Sequence, residues 1–402
     1  MATFGTYDVD EQGRRCYRPP TPSLPRLEEV WDQLEPARAA VEAFDHALTD
    51  FPVPNVVGKL FARLDAVHSS GAEGTTTTFS DLLGYQSDSR QARDLNDART
   101  VASCAEAFDE LAVSGATPIV MALAIHKRLF EDSPEPYARK QAGRWKLIPN
   151  QTFDADEPAG VFYYTHPRQV PEALRRWQDL AADAAGPPLL RQAAAHWMFE
   201  LIHPLGDGNG RIGRLMVPLL LRKTGGAKNA CAFLGEAVHL NKDAYIEALK
   251  HGRRSGDLTA WSRFCLSMIR QNAVANLKRL NTLGRIHDRW RGLTRDARSH
   301  ATVHELVPFA LTRPVFTVSE AARALGKSFQ NVNVAVERMI ELGILRQRGL
   351  DEKGRNRLFE TPEVLAAFEP SRPELAIVTP LRVDPASKDT AKPRLRGSWD
   401  RI

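Results

Sequence analysis

The feature that most constrains the fold of this chain is a glycine-rich stretch between two segments with helical periodicity. Apolar residues recur at helical spacing over residues 189–201 and again over residues 212–220. Between them, residues 203–214 read His-Pro-Leu-Gly-Asp-Gly-Asn-Gly-Arg-Ile-Gly-Arg. Glycine permits left-handed backbone and close approach to a ligand. The pattern predicts two helices joined by a ligand-binding loop with three such residues, Gly206, Gly208 and Gly210.

The start of the second predicted helix is suited to an anion. This helix is expected to begin near Asn209 or Gly210, where unpaired N–H groups and the positive end of the helix dipole favour phosphate. Arg211 and Arg214 follow within one turn and can reach further oxygens of a polyphosphate. His203 stands at the entrance of the loop, and its side chain titrates near neutral pH, so it is the candidate general base.

One loop residue is suited to a metal ion. Mg²⁺ prefers a few carboxylate oxygens together with phosphate oxygens. Asp207 could therefore hold a magnesium ion that bridges the phosphates of a nucleotide. The stretch as a whole predicts a site for a nucleoside polyphosphate.

The stretch resembles the signature of the Fic family, H-x-F-x-[DE]-G-N-G-R-x-x-R. Only the usual Phe is replaced, by Leu205, and an apolar residue there can still anchor the loop. The resemblance implies a mostly α fold: a Fic-type helical core with a β-hairpin flap. It also implies transfer of AMP from ATP, with Mg²⁺, to a Ser, Thr or Tyr hydroxyl of a protein, with His203 as catalytic base. The nucleotide contacts that it implies are Leu205, Gly206, Asp207, Gly208, Asn209, Gly210, Arg211 and Arg214, with Asp207 also holding the metal.

A second short pattern, Ser69 to Gly74, resembles the inhibitory motif of the same family, [ST]-x-x-x-E-[GN]. In the family the glutamate, here Glu73, pairs with the second arginine of the signature, here Arg214. It thereby occupies the place of the terminal phosphate, and a carboxylate facing a guanidinium is a strong charge-assisted pair. Gly71 stands within the predicted helix, where glycine costs about 1 kcal/mol relative to alanine. We therefore expect a loosely held inhibitory helix and a leaky basal activity.

A change of periodicity predicts a β-hairpin in the middle of the chain. Residues 143–148 and 160–164 have extended patterns around turn residues. The hairpin resembles the family's flap, here about 144–165, which binds the target protein as an added strand. Alternation along a strand directs about half of its side chains inward. The candidate target contacts are Phe162, Tyr163 and Tyr164.

The resemblance also implies two contacts with the adenosine part of the nucleotide. Asn241 and Tyr245 correspond to family residues that lie near adenine and ribose. Tyr245 and Leu249 are equally compatible with an i, i+4 pair in the core of the protein.

The pattern along the chain divides it into five regions. They are an N-terminal helical region with the inhibitory motif at 69–74 (1–95), the Fic core (96–284), a solvated linker helix (285–300), a winged helix-turn-helix (301–366) and a tail rich in proline and charge that we expect to be disordered (367–402). Several prolines within residues 1–25 predict an irregular chain there.

The C-terminal unit resembles a winged helix-turn-helix, with three predicted helices followed by a hairpin over residues 344–360. Its second helix is predicted to begin with a capping box at residues 317–320. Such a unit can contact DNA or dock a protein, and we weigh the two equally. The residues that would contact DNA are Gln330, Asn331, Asn333, Arg346, Arg348, Arg355 and Arg357.

Composition favours a cytoplasmic protein without membrane contact. The chain has 402 residues and a net charge of +5, and this mild basicity permits nucleic-acid contact without arguing strongly for it. No apolar run reaches membrane-spanning length, and the N-terminus lacks a secretory pattern. The cysteines form neither a CxxC pair nor a disulfide framework; they are Cys16, Cys104, Cys231 and Cys265.

Three alternatives to AMP transfer remain open. The same site could remove AMP from a protein, with Glu73 positioning a water molecule. The donor could be UTP or a phosphocholine conjugate in place of ATP. The protein could also be a DNA-binding regulator whose Fic domain senses nucleotide. The family commonly dimerises, so a homodimer is open as well, and so is self-modification; no residue of the sequence decides either.

Overall fold

The computed structural model describes residues 4–87, 94–157, 160–183, 185–297, 301–350 and 357–369. Most of these residues are helical, which confirms the prediction of a mostly α fold. The helices of the first half are α1 (Leu27–Asp50), α2 (Pro54–Gly71), α3 (Phe79–Ser87), α4 (Leu95–Leu111), α5 (Pro118–Phe130), α6 (Pro136–Gln141) and α7 (Val170–Ala182). Those of the second half are α8 (Pro188–Ile202), α9 (Asn209–Lys223), α10 (Gly235–Leu240), α11 (Lys242–Ser255), α12 (Thr259–Leu293), α13 (Val303–Thr312), α14 (Val318–Leu325), α15 (Phe329–Glu341) and α16 (Pro362–Phe368).

Helices α8 and α9 form the centre of the molecule and meet at the glycine-rich loop. Every residue from 189 to 202 is buried, and so is nearly all of α9 up to Leu221. A helix that is apolar on all sides must be covered on all sides. Helices α5, α7 and α12 pack around this pair, which places the loop between them on a rigid support.

Helix α12 is longer than the sequence predicts. The predicted end at Gly284 and the separate solvated helix over 285–300 were wrong, because α12 continues to Leu293. Ile286 and Trp290 are buried on this continuation, and the Trp290 indole N–H donates to Glu363 of α16 at 3.0 Å. Packing of this kind outweighs the cost of about 1 kcal/mol for a helical glycine. Residues 298–300 lie outside the described residues.

The flap belongs to a four-stranded sheet with the order β1-β2-β4-β3. Its strands are β1 (Thr6–Val9), β2 (Arg15–Arg18), β3 (Gln151–Phe153) and β4 (Val161–Tyr163). The expectation of an irregular N-terminus was wrong for β1 and β2, which pair antiparallel with each other. Strand β2 then pairs with β4 through Cys16 and Tyr163, and buried Tyr17 packs against Phe162 with ring centroids 5.6 Å apart.

The first strand of the flap also differs from its predicted place. Strand β3 pairs antiparallel with β4, but it begins at Gln151 rather than within residues 143–148. The predicted segment turns instead toward the glycine-rich loop, where the Lys146 N–H donates to the Pro204 carbonyl at 3.0 Å. The extended pattern of this segment therefore reflects a long-range contact rather than a strand.

The C-terminal unit has the predicted order of elements. After α13, strand β5 (Val315–Thr317), α14 and α15 are followed by β6 (Arg346–Leu350), β7 (Arg357–Glu360) and α16, with the sheet order β5-β7-β6. The capping box of Thr317 and Glu320 is present at the start of α14. The turn of the hairpin at 351–356 and residues 370–402 of the predicted tail lie outside the described residues. The expectation of disorder from residue 367 was wrong for the first residues of that tail, because α16 continues to Phe368.

The C-terminal unit packs on the N-terminal helices. Phe368 of α16 stacks on Phe79 of α3 with ring centroids 4.7 Å apart and lies 5.3 Å from the ring of Phe61. Glu369 accepts hydrogen bonds from the first N–H groups of α3. Among the described residues, none of the helices combines the length and apolar character that crossing a bilayer requires.

Candidate active site

The loop between α8 and α9 begins with an unusual backbone conformation. His203 follows α8 with φ 48° and ψ 59°, and it is the one residue other than glycine with positive φ in the described part of the chain. Helices commonly end on a left-handed residue, but that residue is usually glycine or asparagine. A left-handed histidine is strained by about 1–3 kcal/mol, and such strain persists where surrounding contacts enforce it.

Side chains and glycine together shape the rest of the loop. Leu205 is fully buried and anchors it, as the sequence predicts. The Asn209 side chain accepts from the Leu205 N–H at 2.9 Å and donates to the Leu205 carbonyl at 2.9 Å. Gly208 is the N-cap of α9 with φ 77°. The loop is thus tied to the first turn of the helix that follows it.

His203 is held in the form of a neutral base. Its ring stacks on Tyr164 with centroids 4.1 Å apart, and its Nδ1 lies 3.2 Å from the Glu200 carbonyl. A carbonyl can only accept, so Nδ1 carries the proton and Nε2 has its lone pair available. Burial, with a further contribution from the charge of Lys146, lowers the pKa of His203 to about 4. The imidazole is therefore unprotonated at neutral pH.

The first turn of α9 combines a helix N-terminus with cationic and anionic side chains. Its leading N–H groups have no partner within the helix and carry the positive end of the dipole. Arg211 is almost buried beside this turn, with Nη2 3.4 Å from Oδ2 of Asp207. The Asp207 side chain is 71% exposed, so its carboxylate is accessible from solvent.

Arg214, one turn further along α9, is paired with Glu73. Its Nη2 lies 2.6 Å from Oε1 of Glu73, and its Nε and Nη2 bind the Ser69 hydroxyl at 2.9 Å and carbonyl at 2.8 Å. Burial works to raise the pKa of Glu73, but the Arg214 guanidinium outweighs it and holds that pKa below its usual value. A side chain at Gly210 would collide with both members of the pair. The structure therefore brings together Ser69, Glu73 and Arg214 as the sequence pattern predicts.

Glu73 lies just beyond helix α2 rather than inside it. The helix ends at Gly71, and Glu73 occupies the turn before Gly74, which has φ 104°. A β-carbon at Gly71 would stand 2.6 Å from the ring of His239. The glycine is thus explained by the close approach of His239, which the sequence analysis did not foresee.

Comparison with known proteins places this site in a family context. A profile of the Fic/DOC family matches residues 117–221, and a profile of the Fic/DOC family N-terminal region matches residues 31–110. The chain contains a Fic domain. The first match covers α5 to α9 with the loop and His203, and the second covers α2 with Glu73.

Individual relatives match part of the chain at modest identity. Proteins named protein adenylyltransferase fic-1 from Caenorhabditis briggsae and Caenorhabditis elegans are each 31% identical over 108 residues. That match covers 26% of this chain and 20% of each relative, so the chain spans about a fifth of their length. The crystal structure of a Fic family protein from Desulfovibrio desulfuricans G20 superposes with a TM-score of 0.54 at 16% identity, covering 85% of this chain and 98% of the other. This likeness extends the Fic fold over most of the chain.

The three flap residues of the Fic domain have different environments. Phe162 points inward and is buried, with the Arg253 guanidinium 4.2 Å from its ring centroid. Tyr163 is half-buried and pairs across the sheet with Gln151. Tyr164 lies directly against His203. Contact with a target stays a prediction for all three.

The predicted adenosine contacts lie beside the Fic loop in different settings. Tyr245 is buried, its hydroxyl lies 2.9 Å from Nε2 of His196, and its ring packs edge-on against Trp261 at 5.7 Å. Asn241 donates to the Ala237 carbonyl at 2.8 Å. The structure gives Tyr245 a place in the core, and nucleotide binding by either residue stays a prediction.

Three residues around the Fic loop were not predicted from the sequence. Lys146 is buried beside His203, and the Asn150 side chain donates to the carbonyls of Leu205 at 3.2 Å and Gly206 at 3.0 Å. Glu200 is buried in α8, and burial raises its pKa to about 7. An ionisable residue within an apolar run, as in Trp145-Lys146-Leu147, was the available signal.

The cationic side chains of the predicted wing are engaged within the chain. Arg346 and Arg348 pair with Glu360, and Arg348 also donates to the Ser80 hydroxyl at 2.7 Å. Arg357 pairs with Glu337 at 2.6 Å. Of the other predicted DNA contacts, Gln330 and Asn331 are exposed, Asn333 accepts a hydrogen bond from Arg357, and Arg355 lies outside the described residues.

Proposed function

We propose that the chain is a protein adenylyltransferase, which transfers AMP from ATP to a Ser, Thr or Tyr hydroxyl of a protein and is inhibited by Glu73. The observation that carries the proposal is the pairing of Glu73 with Arg214 next to a neutral histidine and the N-terminus of α9. A nucleotide and a carboxylate would compete for the same guanidinium.

In the proposed reaction, Nε2 of His203 takes the proton of the incoming hydroxyl. The hydroxyl oxygen forms a bond to the α-phosphorus of ATP while the bond from that phosphorus to the bridging oxygen breaks. Pyrophosphate leaves with that electron pair. The N–H groups of the first turn of α9, at Asn209 and Gly210, are suited to stabilise the charge that develops on the phosphate oxygens. Arg211 and Arg214 are assigned to the β- and γ-phosphates.

Asp207 fits a magnesium ion shared with the phosphates of ATP. Its carboxylate is largely exposed at the mouth of the loop, and its contact with Arg211 is long at 3.4 Å. Mg²⁺ in nucleotide sites is usually bound by one or two carboxylates together with phosphates and water. When bound, the ion would neutralise phosphate charge and help pyrophosphate to leave.

The proposed inhibition follows because Arg214 can bind only one anion well, either the Glu73 carboxylate or a phosphate of ATP. In the structure its nitrogens are taken by Glu73 and Ser69, and its side chain is only 2% exposed. A γ-phosphate at this position would bring a second negative charge beside a carboxylate, which is unfavourable away from bulk water. We therefore propose that ATP binds in a non-productive pose, or weakly, while Glu73 stays in place.

The matched relatives support this proposal because they are named protein adenylyltransferases. The family match over residues 117–221 includes the signature stretch. Three of the candidate DNA contacts in the described part of the C-terminal unit, Arg346, Arg348 and Arg357, are each paired with a glutamate, so these three charges do not favour DNA binding. We therefore extend the proposal to protein targets alone.

The test is label transfer from α-labelled ATP with magnesium, to the protein itself and to proteins of a cytoplasmic lysate. Wild type, Glu73→Gly and the double variant Glu73→Gly, His203→Ala are compared. We expect label to rise with the first change and to vanish with the second. Label equal in all three would refute the roles of both residues. If AMP is removed rather than transferred, Glu73→Gly abolishes its release from prelabelled protein.

A further inference from the structure

Lys146 binds the carbonyls of both residues that neighbour His203 in the chain, Ile202 and Pro204. The Lys146 N–H donates to the carbonyl of Pro204 at 3.0 Å, and its Nζ donates to the carbonyl of Ile202 at 3.3 Å. Lys146 is only 4% exposed. It lies between α6 and the flap, more than fifty residues before the histidine in sequence. The contact is therefore made by folding and not by the local chain.

These bonds act where the backbone is strained. The Ile202 carbonyl belongs to the peptide group before His203, and the Pro204 carbonyl belongs to the second peptide group after it. The two bonds therefore restrict the backbone on both sides of the histidine, whose left-handed conformation needs such support. Asn150, on the same segment as Lys146, continues the bracing with bonds to Leu205 and Gly206. The base of the flap thus binds four backbone carbonyls between Ile202 and Gly206.

Lys146 also supplies a positive charge near the imidazole of His203, which disfavours protonation of that ring. The other ionisable groups that act on His203 are carboxylates, from Glu73 after α2 and from Asp207 in the loop, while Tyr164 stacks on the ring and Glu200 offers a carbonyl to Nδ1. Cys16 of β2 faces Lys146. In the described part of the chain no carboxylate lies within ion-pair distance of Lys146, so its charge is not neutralised by a salt bridge.

Packing alone does not explain a lysine at this buried position, because an apolar side chain could be buried there at a lower cost in free energy. Burial of an ammonium without an ionic partner is unfavourable, and it lowers the pKa of Lys146 to about 7. Below that pH the side chain is charged, and above it the neutral amine still donates a hydrogen bond. Protonation of His203 would occur well below pH 7, where Lys146 carries its charge. Like charges at short range disfavour each other.

We propose that Lys146 is a positioning residue for His203, which holds the histidine backbone through the carbonyls of both neighbouring residues and whose positive charge adds to burial in disfavouring protonation of the imidazole. Its importance for catalysis rests on the proposed function. Its effect on the histidine does not, because it can be measured without any reaction.

The first test follows the titration of His203 itself. Proton and carbon NMR of histidine-labelled full-length protein is recorded from pH 3.5 to 8, with the signal of His203 assigned by its loss in His203→Gln. Four variants are compared: Lys146→Met, Lys146→Gln, Lys146→Arg and the matched control Lys140→Met, which makes the same change at an exposed lysine on α6.

We expect the midpoint of His203 to rise by about one pH unit in Lys146→Met and Lys146→Gln, since a nearby like charge shifts a pKa by about that much or more. Lys146→Arg and Lys140→Met keep the wild-type midpoint. Lys146→Gln retains a donor, so it serves if Lys146→Met fails to fold. An unchanged midpoint in both neutral variants would overturn the proposal.

The second test measures label transfer from ATP in the Glu73→Gly background. We expect Lys146→Met to lower kcat by about a hundredfold, the cost typical of a misplaced catalytic group, with the KM for ATP little changed. Lys146→Arg should recover most of the rate. An undiminished kcat in Lys146→Met, or a loss seen in the KM for ATP alone, would overturn the positioning role. If Glu73→Gly itself transfers no label, the proposed function fails, and the titration alone decides the role of Lys146.

Discussion

A buried cluster of charged side chains attaches the flap to the rest of the protein. The structure allows the free-energy cost of breaking this cluster to be estimated. Arg253 of α11 lies 2.5 Å from Asp154 and 2.5 Å from Glu157, both at the tip of the flap. Its side chain is 3% exposed, as is that of Asp154. The Tyr7 hydroxyl of β1 completes the cluster by donating to Glu157 at 2.8 Å.

Replacing Arg253 with methionine leaves two poorly solvated carboxylates. Breaking a buried pair by removing one partner costs about 3–5 kcal/mol. Among the described residues, Asp154 retains Arg254 at 3.2 Å and Lys250 at 3.8 Å, whereas the Glu157 carboxylate retains the tyrosine hydroxyl alone. Because Asp154 keeps two cationic partners, we expect the free-energy cost of losing Arg253 to be near the lower end of that range, at about 3 kcal/mol.

Hydrogen exchange of the flap amides is the assay, because it measures local opening. A loss of about 3 kcal/mol corresponds to an increase of about a hundredfold in the exchange rate of residues 151–154 and 161–163. Arg254→Met is the control, since this arginine shares Asp154 but is 35% exposed, and such pairs contribute at most about 1 kcal/mol. Equal exchange in the two variants would refute the argument that the buried cluster anchors the flap.

Three other substitutions test the regulatory contacts. Glu73→Gly should tighten ATP binding by about ten- to a hundredfold in calorimetry, because a hydrogen-bonded charge contributes about 1.5–3 kcal/mol; an unchanged Kd would contradict competition for Arg214. Gly71→Ala should increase label transfer, because its β-carbon displaces His239 and loosens the inhibitory turn, and adding His239→Ala should restore the wild-type rate; a decrease would favour the helix-propensity argument. Phe368→Ala should lower the free energy of unfolding by about 3–5 kcal/mol in urea titration and speed amide exchange in α3; exchange in α3 unaffected by this change would show that the C-terminal unit does not support the segment after Glu73.

The sequence predicts well what depends on short-range patterns. The left-handed Gly208, the start of α9 at Asn209 and the capping box at Thr317 all arise from residues within one turn of each other. The pairing of Glu73 with Arg214 spans 141 residues. It was predicted only because a family motif marks both of its ends.

Contacts between distant segments without a motif were missed. Strands β1 and β2 are stabilised by pairing with the flap and by burial of Tyr17, and nothing within residues 6–18 indicates that partner. Helix α12 continues past Gly284 because Trp290 packs against α16. Lys146 was overlooked for the same reason, since its partners Ile202 and Pro204 lie in another part of the chain.

The measurement that tests the central claim most directly compares ATP labelled at the α-phosphate with ATP labelled at the γ-phosphate, using the Glu73→Gly protein with magnesium. AMP transfer predicts that protein retains the α label and none of the γ label, and that His203→Ala in the same background removes the α label. Retention of the γ label would indicate phosphate transfer. That result, or α label that survives the loss of His203, would contradict the account.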